Sequence, residues 1–137
     1  MISRGPIAIF GGMFTIRVPF FDTDAMGIVH HANYLRYFEM ARVEYLREKG
    51  LDYKTWMAKG LHLPLVESQC RYKKPVRFDD IINISVQLKV EGLRVTLFYE
   101  ITMKESEDLV ATGSTQHVCV NDKMKVLPLP DELKNLI

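Results

Sequence analysis

The chain has 137 residues, a formal net charge of +1, and apolar side chains at 47% of its positions. This length suits one domain, and the apolar content supports a core and excludes intrinsic disorder. The balanced charge gives no reason to expect nucleic acid or an anionic membrane as a partner, and no apolar run approaches the ~20 residues of a membrane span.

The N-terminal segment MISRGPIAIFGG, residues 1–12, is treated as an extension, and residues 13–137 are predicted to form a single domain. The segment is too short and too rich in glycine for a secretory signal. The two cysteines, Cys70 and Cys119, lie in apolar runs and provide no disulfide framework, which favours a reduced cytoplasmic protein.

Apolar and polar residues alternate over residues 14–20, which predicts a strand with one buried face that ends near Phe20. A polar loop follows and carries two carboxylates, a glycine and two histidines: Asp22, Asp24, Gly27, His30 and His31. This loop leads directly into a helical pattern.

Helical spacing of apolar residues predicts a helix that begins between His31 and Asn33 and ends near Lys49, followed by Gly50. A helix start offers unpaired N–H groups, so an acid and an imidazole beside it can serve a substrate that develops negative charge on oxygen. The residues alone leave an alternative open, in which Asp22 caps a turn, Asn33 caps the helix and the histidines are solvated.

After a short helix at residues 53–59, the chain is predicted to form sheet. The expected strands cover residues 63–72, 82–90, 95–103 and 109–120, and a final turn of helix falls within residues 131–137. Short turns between neighbouring strands indicate antiparallel pairing. The predicted fold class is α+β, with the long helix wrapped by a curved antiparallel five-stranded sheet.

The segment DTDAMGIVHHANYLRYFEMAR, residues 22–42, resembles the signature of the hot-dog fold acyl-CoA thioesterases. Within them it is similar to the 4-hydroxybenzoyl-CoA thioesterase-like branch, which includes the Tol–Pal-associated acyl-CoA thioesterase. The similarity continues through VESQCRYKKPVRFDD and TQHVCVN and covers residues 14–133. The resemblance implies a hot-dog fold, hydrolysis of an acyl-CoA thioester without a cofactor, and a homodimer that pairs into a dimer of dimers.

The resemblance also implies roles for residues of the loop. Asp24 matches the catalytic carboxylate, as general base or nucleophile, and His31 matches a histidine near the thioester. The backbone at Gly27 and His31 is expected on the oxyanion side of the site. Phe20 stands where related sequences often carry a tyrosine, which removes a phenol from that position.

Substrate contacts are expected from two sets of residues. Candidates for contact with the acyl group are Phe20 and Tyr34. The phosphates of coenzyme A call for basic side chains near strand ends, and the candidates are Lys73, Lys74, Arg77 and Arg94.

Three other interpretations compete with hydrolysis. A metal site is disfavoured because adjacent histidines do not share a helix face and no metal-binding motif occurs. A hot-dog enoyl-CoA hydratase using Asp24 and His31 is the main alternative, and a non-catalytic acyl-binding protein is another.

His117 and Cys119 share one strand face and are interpreted as a structural pair rather than a nucleophile with its base.

Overall fold

A computed structural model describes residues 12–136. Its elements, in chain order, are β1 (Met13–Arg17), α1 (Ala32–Glu48), α2 (Tyr53–Ala58), β2 (Leu65–Tyr72), β3 (Ile81–Glu91), β4 (Arg94–Met103), β5 (Leu109–Val120), β6 (Val126–Leu127) and α3 (Asp131–Lys134). The predicted α+β arrangement, one long helix lying across an antiparallel sheet, is confirmed. Residues 1–11, which make up most of the predicted extension, lie outside the described range.

The sheet is antiparallel throughout and has the order β1-β3-β4-β5-β2, with β6 paired to β5. The five main strands are those expected from the alternation of apolar residues. β6 was not predicted, because two residues are too few to show a period. No helix in the described range is long and apolar enough to cross a membrane.

The predicted apolar stripe of α1 is buried against the sheet and consists of Tyr34, Tyr37, Phe38, Ala41, Tyr45 and Leu46. Phe38 stacks on Tyr99 of β4 with ring centroids 4.4 Å apart. A Cβ atom at Gly113 of β5 would overlap the Phe38 ring, so glycine allows the helix to approach the sheet closely.

Two strand boundaries differ from prediction for one physical reason, the lack of an N–H group in proline. β1 ends at Arg17 rather than near Phe20, because Pro19 stops the ladder and a single 3-10 turn follows at Phe20–Asp22. Phe20 is therefore not a buried strand residue but is 72% exposed. β2 likewise begins at Leu65, directly after Pro64.

The two edges of the sheet are unequal. β1 is a five-residue edge strand, whereas β2 has eight residues, and among residues 12–136 no strand pairs with its outer side. The side chains of Leu65 and Val66 on β2 are 54% and 46% exposed. A long unpaired edge with exposed apolar side chains at one end is a surface that proteins usually cover.

Candidate active site

Asp22 anchors the loop before α1 to the helix. Its side chain is only 7% exposed, and the hydroxyl of Tyr37 donates to Oδ2 at 2.7 Å. Its carbonyl oxygen accepts hydrogen bonds from the His30 N–H and the Asn33 side-chain amide, both at 2.9 Å. Burial and the bond to Asp22 raise the pKa of Tyr37 far above its ordinary value. The Asp22 carboxylate thus has a structural role inside the fold.

At the start of α1, the side chain that bonds the backbone is that of His30, not that of Asn33 as the alternative interpretation has it. Nδ1 of His30 accepts a hydrogen bond from the Ala32 N–H at 3.0 Å, so the ring proton lies on Nε2. Asn33 is occupied by its bond to Asp22. The ring of His30 also stacks on that of His31, with centroids 4.2 Å apart. Neither histidine is simply a solvated side chain.

Asp24 lies in a tight turn that fixes its carboxylate. The Met26 N–H donates to Oδ1 at 2.8 Å, and Oδ2 has no hydrogen-bond partner among the described residues. The Gly27 N–H donates to the Asp24 carbonyl at 2.9 Å, and Gly27 has a φ of 79°, a conformation that glycine adopts without strain. The Gly27 N–H is therefore engaged by the turn and is not free to bind an oxyanion in this structure.

His31 has a backbone N–H at the start of α1 that is unpaired among the described residues. Within residues 12–136 its N–H has no acceptor, and it lies at the N-terminus of the seventeen-residue helix α1. Both the exposed N–H and the positive end of the helix dipole favour negative charge at this point. The carbonyl of His31 accepts the hydroxyl of Tyr72 at 3.2 Å, which ties the helix start to the end of β2.

Asp24 and His31 open into one cavity of about 410 Å³, here called the Asp24 cavity. Its other polar and aromatic lining residues are Tyr34, Tyr72, Lys73 and Lys74. The rings of Tyr34 and Tyr72 meet edge to face at 4.9 Å. Burial, with smaller contributions from neighbouring groups, raises the pKa of Tyr34 to about 12, so its phenol stays neutral at physiological pH.

The predicted basic residues separate into three positions. Lys73 and Lys74 lie at the Asp24 cavity, and Lys74 forms an ion pair with Asp108 at 2.5 Å. Arg77 pairs through its backbone with Ile28 of the loop, close to the cavity but outside its lining.

Arg94 lies at the opposite end of the sheet. It begins β4, whereas Met103 at the other end of that strand pairs with Ile82 beside the loop. Nine residues of strand place Arg94 about 30 Å from that end. Its guanidinium donates to Gln116 at 2.8 Å. Within one chain, the structure does not bring Arg94 together with Asp24.

Phe20 also lies outside the Asp24 cavity within this chain. Its ring contacts Phe78 edge to face at 5.5 Å on the exposed side of the loop. Sequence reasoning did not identify Tyr72, which both lines the cavity and bonds to His31. The available signal was its place in the alternation Ser68, Cys70, Tyr72, which puts these three side chains on the helix-facing side of β2.

The four residues considered for a metal site do not converge. The carboxylate of Asp22 faces Tyr37 in the interior, whereas that of Asp24 is held by Met26 in the turn. Between residues 12 and 136 no three side chains of His, Cys, Asp or Glu are placed to hold a metal ion.

Comparison with known proteins agrees with the geometry of the loop and helix. The family model of the thioesterase-like superfamily matches residues 18–137. This chain belongs to that superfamily. One relative is a protein of Aquifex aeolicus that is named as an esterase. It is 39% identical to this chain over 121 residues, which are 88% of this chain and 93% of the relative.

Two further relatives carry more specific names. The acyl-CoA thioesterase YbgC of Haemophilus influenzae is 31% identical over 127 residues, with 90% of this thioesterase and 92% of YbgC covered. The crystal structure of Slr0204, a 1,4-dihydroxy-2-naphthoyl-CoA thioesterase from Synechocystis, superposes with a TM-score of 0.86 at 26% identity, over 91% and 93% of the two chains. The predicted hot-dog fold and the predicted class, a thioester hydrolase, are confirmed.

Proposed function

We propose that this thioesterase hydrolyses an acyl-CoA thioester to the free acid and coenzyme A at the Asp24 cavity. The observation that carries the proposal is the meeting of two groups in one cavity: the carboxylate of Asp24 and the unpaired N–H of His31. The first can activate or deliver an oxygen nucleophile, and the second can stabilise the charge that develops on the carbonyl oxygen.

In the general-base route, Asp24 removes a proton from water as the water oxygen attacks the carbonyl carbon of the thioester. Negative charge moves to the carbonyl oxygen, where the His31 N–H and the dipole of α1 stabilise it. The intermediate then expels the thiolate of coenzyme A, which receives the proton from Asp24. The Met26 N–H holds one carboxylate oxygen, so the other is oriented for this transfer.

In the nucleophilic route, Asp24 attacks the carbonyl carbon itself and expels the thiolate. The resulting mixed anhydride is hydrolysed by water, which regenerates the carboxylate. Both routes use the same carboxylate and the same oxyanion donor and consume one water molecule. Neither requires a cofactor, since coenzyme A enters as part of the substrate.

Coenzyme A is proposed to enter past Lys73. This lysine makes no ion pair within the described part of the chain, whereas the charge of Lys74 is offset by Asp108. A free ammonium group at the rim suits a phosphate of the nucleotide. The proposed setting is the cytoplasm, and the proposed branch is that of the Tol–Pal-associated acyl-CoA thioesterases, on the strength of the DTD and HHANY segments.

The unit proposed to act is a homodimer, with two dimers pairing further. The eight-residue outer edge of β2 supports this proposal, because a second copy can pair with that edge and cover Leu65 and Val66. An obligate interface of this kind exceeds roughly 2,000 Å². Light scattering on a column tests it, and an active monomer at micromolar concentration would contradict it.

The activity is tested with a panel of short, long, branched and aromatic acyl-CoA esters. Release of free thiol from at least one ester supports hydrolysis. Crotonyl-CoA in the same panel separates the hydratase alternative, which would remove the enoyl absorbance without releasing thiol. Binding of acyl-CoA with neither reaction would identify a non-catalytic binding protein and overturn the proposal.

A further inference from the structure

A second cavity, also of about 410 Å³, lies between α1 and β2 and takes no part in the proposed hydrolysis. Its lining combines apolar and polar side chains, among them Leu35, Leu63, Leu65, Arg42, Ser68 and His117. We call it the Arg42 cavity. A cavity with an apolar wall and a few convergent polar groups has the usual character of a ligand site.

Both cavities lie along the groove between α1 and β2, since each is lined by residues of these two elements. Tyr72 lines the Asp24 cavity and Ser68 lines the Arg42 cavity, and both project from the helix-facing side of β2. The four-residue step from Ser68 to Tyr72 corresponds to about 13 Å of strand. Along α1, the eleven residues from His31 to Arg42 correspond to about 16 Å of helix. An acyl group that extended from Asp24 along α1 and β2 over this distance would reach Arg42.

A directed chain of hydrogen bonds forms the floor of the Arg42 cavity. The Leu63 carbonyl can only accept, so Nδ1–H of His117 donates to it at 3.0 Å, and Nε2 must accept from the Thr115 hydroxyl at 2.9 Å. The Thr115 oxygen then accepts from the Tyr99 hydroxyl at 2.7 Å, and the Tyr99 oxygen accepts from Arg42 at 3.5 Å. The chain leaves His117 neutral and fully bonded.

Among the side chains of this hydrogen-bond chain, Arg42 has N–H donors left for a ligand. It donates to Tyr53 at 3.1 Å, to Tyr99 at 3.5 Å and to Glu39 at 3.4 Å. A guanidinium has five N–H donors, so two remain without a partner among residues 12–136. The Arg42 side chain is 11% exposed, while its one carboxylate neighbour, Glu39, is 68% exposed.

The charge balance of the Arg42 cavity favours an anion. Arg36 lines it as well, so two guanidinium groups stand against the single carboxylate of Glu39. Burial, assisted by the nearby charge of Arg42, lowers the pKa of His117 to about 4, so the histidine adds no charge at neutral pH. The hydroxyl of Ser68 has no hydrogen-bond partner within the described range and is a further donor for a ligand.

We propose that the Arg42 cavity binds a carboxylate at the far end of the acyl group, which gives this thioesterase a preference for ω-carboxyacyl thioesters. The inference rests on the proposed hydrolysis at Asp24. Paired N–H donors of a guanidinium match the two oxygens of a carboxylate. An uncharged chain end would displace water from these donors and replace none of its hydrogen bonds.

The test compares ω-carboxyacyl-CoA esters with plain acyl-CoA esters of equal length, from six to fourteen carbons. The measured quantity is the ratio of kcat/KM for the two esters of each pair. Hydrogen bonds to a charged group favour the ω-carboxy ester by roughly tenfold or more. The preference should peak at lengths that span about 13 to 16 Å and vanish for the shortest pair. A ratio at or below one at every length would overturn the proposal.

Variants separate recognition from folding. Ser68→Leu fills the Arg42 cavity without touching the hydrogen-bond chain, and it should bring the ratio close to one. Arg42→Gln should do the same, and Arg42→Lys should retain part of the preference. Arg71→Gln is the matched control, because Arg71 lies on β2 with its side chain on the opposite face of the sheet and should leave the ratio unchanged. An unchanged ratio in Ser68→Leu would contradict the proposed site.

A binding measurement keeps this inference distinct from the proposed hydrolysis. Calorimetry on the Asp24→Asn protein compares the affinities of the same paired esters without turnover. Tighter binding of the ω-carboxy ester, lost in an Asp24→Asn, Ser68→Leu double variant, supports the Arg42 cavity even if the wild-type protein releases no thiol. Equal affinities for both esters would overturn the inference even if hydrolysis is found.

Discussion

The two ends of the groove between α1 and β2 are held together in different ways. At the Asp24 end, the carboxylate proposed to react and the proposed oxyanion donor are positioned by backbone hydrogen bonds of the turn and the helix start. At the Arg42 end, side chains from α1, α2, β4 and β5 bind one another in a buried chain. Side chains at the first end should therefore be replaceable with little loss of stability, whereas those at the second end should not.

The same contrast exists between the two carboxylates of the loop. Asp22 and Asp24 are two residues apart, yet the first is buried against Tyr37 and the second opens into a cavity. A buried carboxylate that loses its partner destabilises a fold, because its desolvation is no longer offset. A structural carboxylate and the carboxylate proposed to react thus lie within one short segment.

Apart from Asp24 itself, the largest expected effect concerns His117 at the Arg42 end. Its pKa is lowered from the ordinary 6.5 to about 4. Between these pH values the unfolded chain binds a proton that the folded chain does not. The free energy of unfolding should therefore fall as the pH drops from 6.5 to 4, by about 3 kcal/mol from this group.

Urea unfolding at several pH values, for wild type and His117→Asn, measures this contribution. The variant is expected to be less stable at pH 7 but to lose less stability on acidification. The comparison uses the difference between the two curves, since other groups titrate in both proteins. Parallel curves between pH 6.5 and pH 4 would show that His117 is not buried as a neutral ring.

The next effect in size is expected for Tyr37→Phe. Loss of its hydroxyl leaves the buried carboxylate of Asp22 without its side-chain donor, at a cost of about 1–3 kcal/mol in the free energy of unfolding. Tyr34→Phe is the control, because the Tyr34 hydroxyl has no hydrogen bond within residues 12–136. Thermal melting measures both variants. Equal Tm values for Tyr37→Phe and Tyr34→Phe would contradict the structural role assigned to Asp22.

The sequence predicts the Asp24 end of the groove better than the Arg42 end, because the contacts at the Asp24 end are local in the chain. The start of α1 and the place of Asp24 in the loop before it depend on neighbouring residues, and periodicity predicted both. The tight turn at Gly27 was not predicted. The Arg42 end depends on Tyr53, Tyr99 and Thr115, which only the register of β4 and β5 brings together. No local pattern contains that information.

The incorrect expectations for residues near the Asp24 end also arise from contacts that the local sequence does not show. The competition between Asn33 and His30 for the helix cap is decided by the carbonyl of Asp22, which the asparagine binds instead. The distance of Arg94 from the loop depends on the register of β3 with β4. The exposure of Phe20 follows from Pro19, which stops the ladder before Phe20, although the alternation of apolar residues continues to Phe20.

His31→Ala should reduce kcat only mildly. The proposed oxyanion donor is the backbone N–H, which survives truncation of the side chain, although loss of stacking on His30 loosens the helix start. The expected loss is less than about tenfold, below the range for removal of a general base. Initial rates of thiol release measure it. A defect as large as that of Asp24→Asn would assign the histidine side chain a direct part in the reaction.

The smallest effect is expected for Lys73→Ala, which removes an exposed charge at the rim of the Asp24 cavity. KM should rise by up to about fivefold with kcat unchanged, because the contact to coenzyme A is the same in the bound substrate and the transition state. Lys74→Ala serves as the comparison and should have less effect, since Asp108 already offsets its charge. Equal effects, or a change in kcat alone, would contradict this assignment.

The central claim is that Asp24 performs the reaction while Asp22 holds the loop. Its most direct test is to measure thiol release and thermal melting on the same preparations of Asp24→Asn and Asp22→Asn. We expect Asp24→Asn to have the same Tm as the wild type and a kcat that is lower by about 10²–10⁴-fold. We expect Asp22→Asn to melt at a lower temperature. An Asp24→Asn protein that melts normally and retains more than about a tenth of the wild-type kcat would contradict the claim.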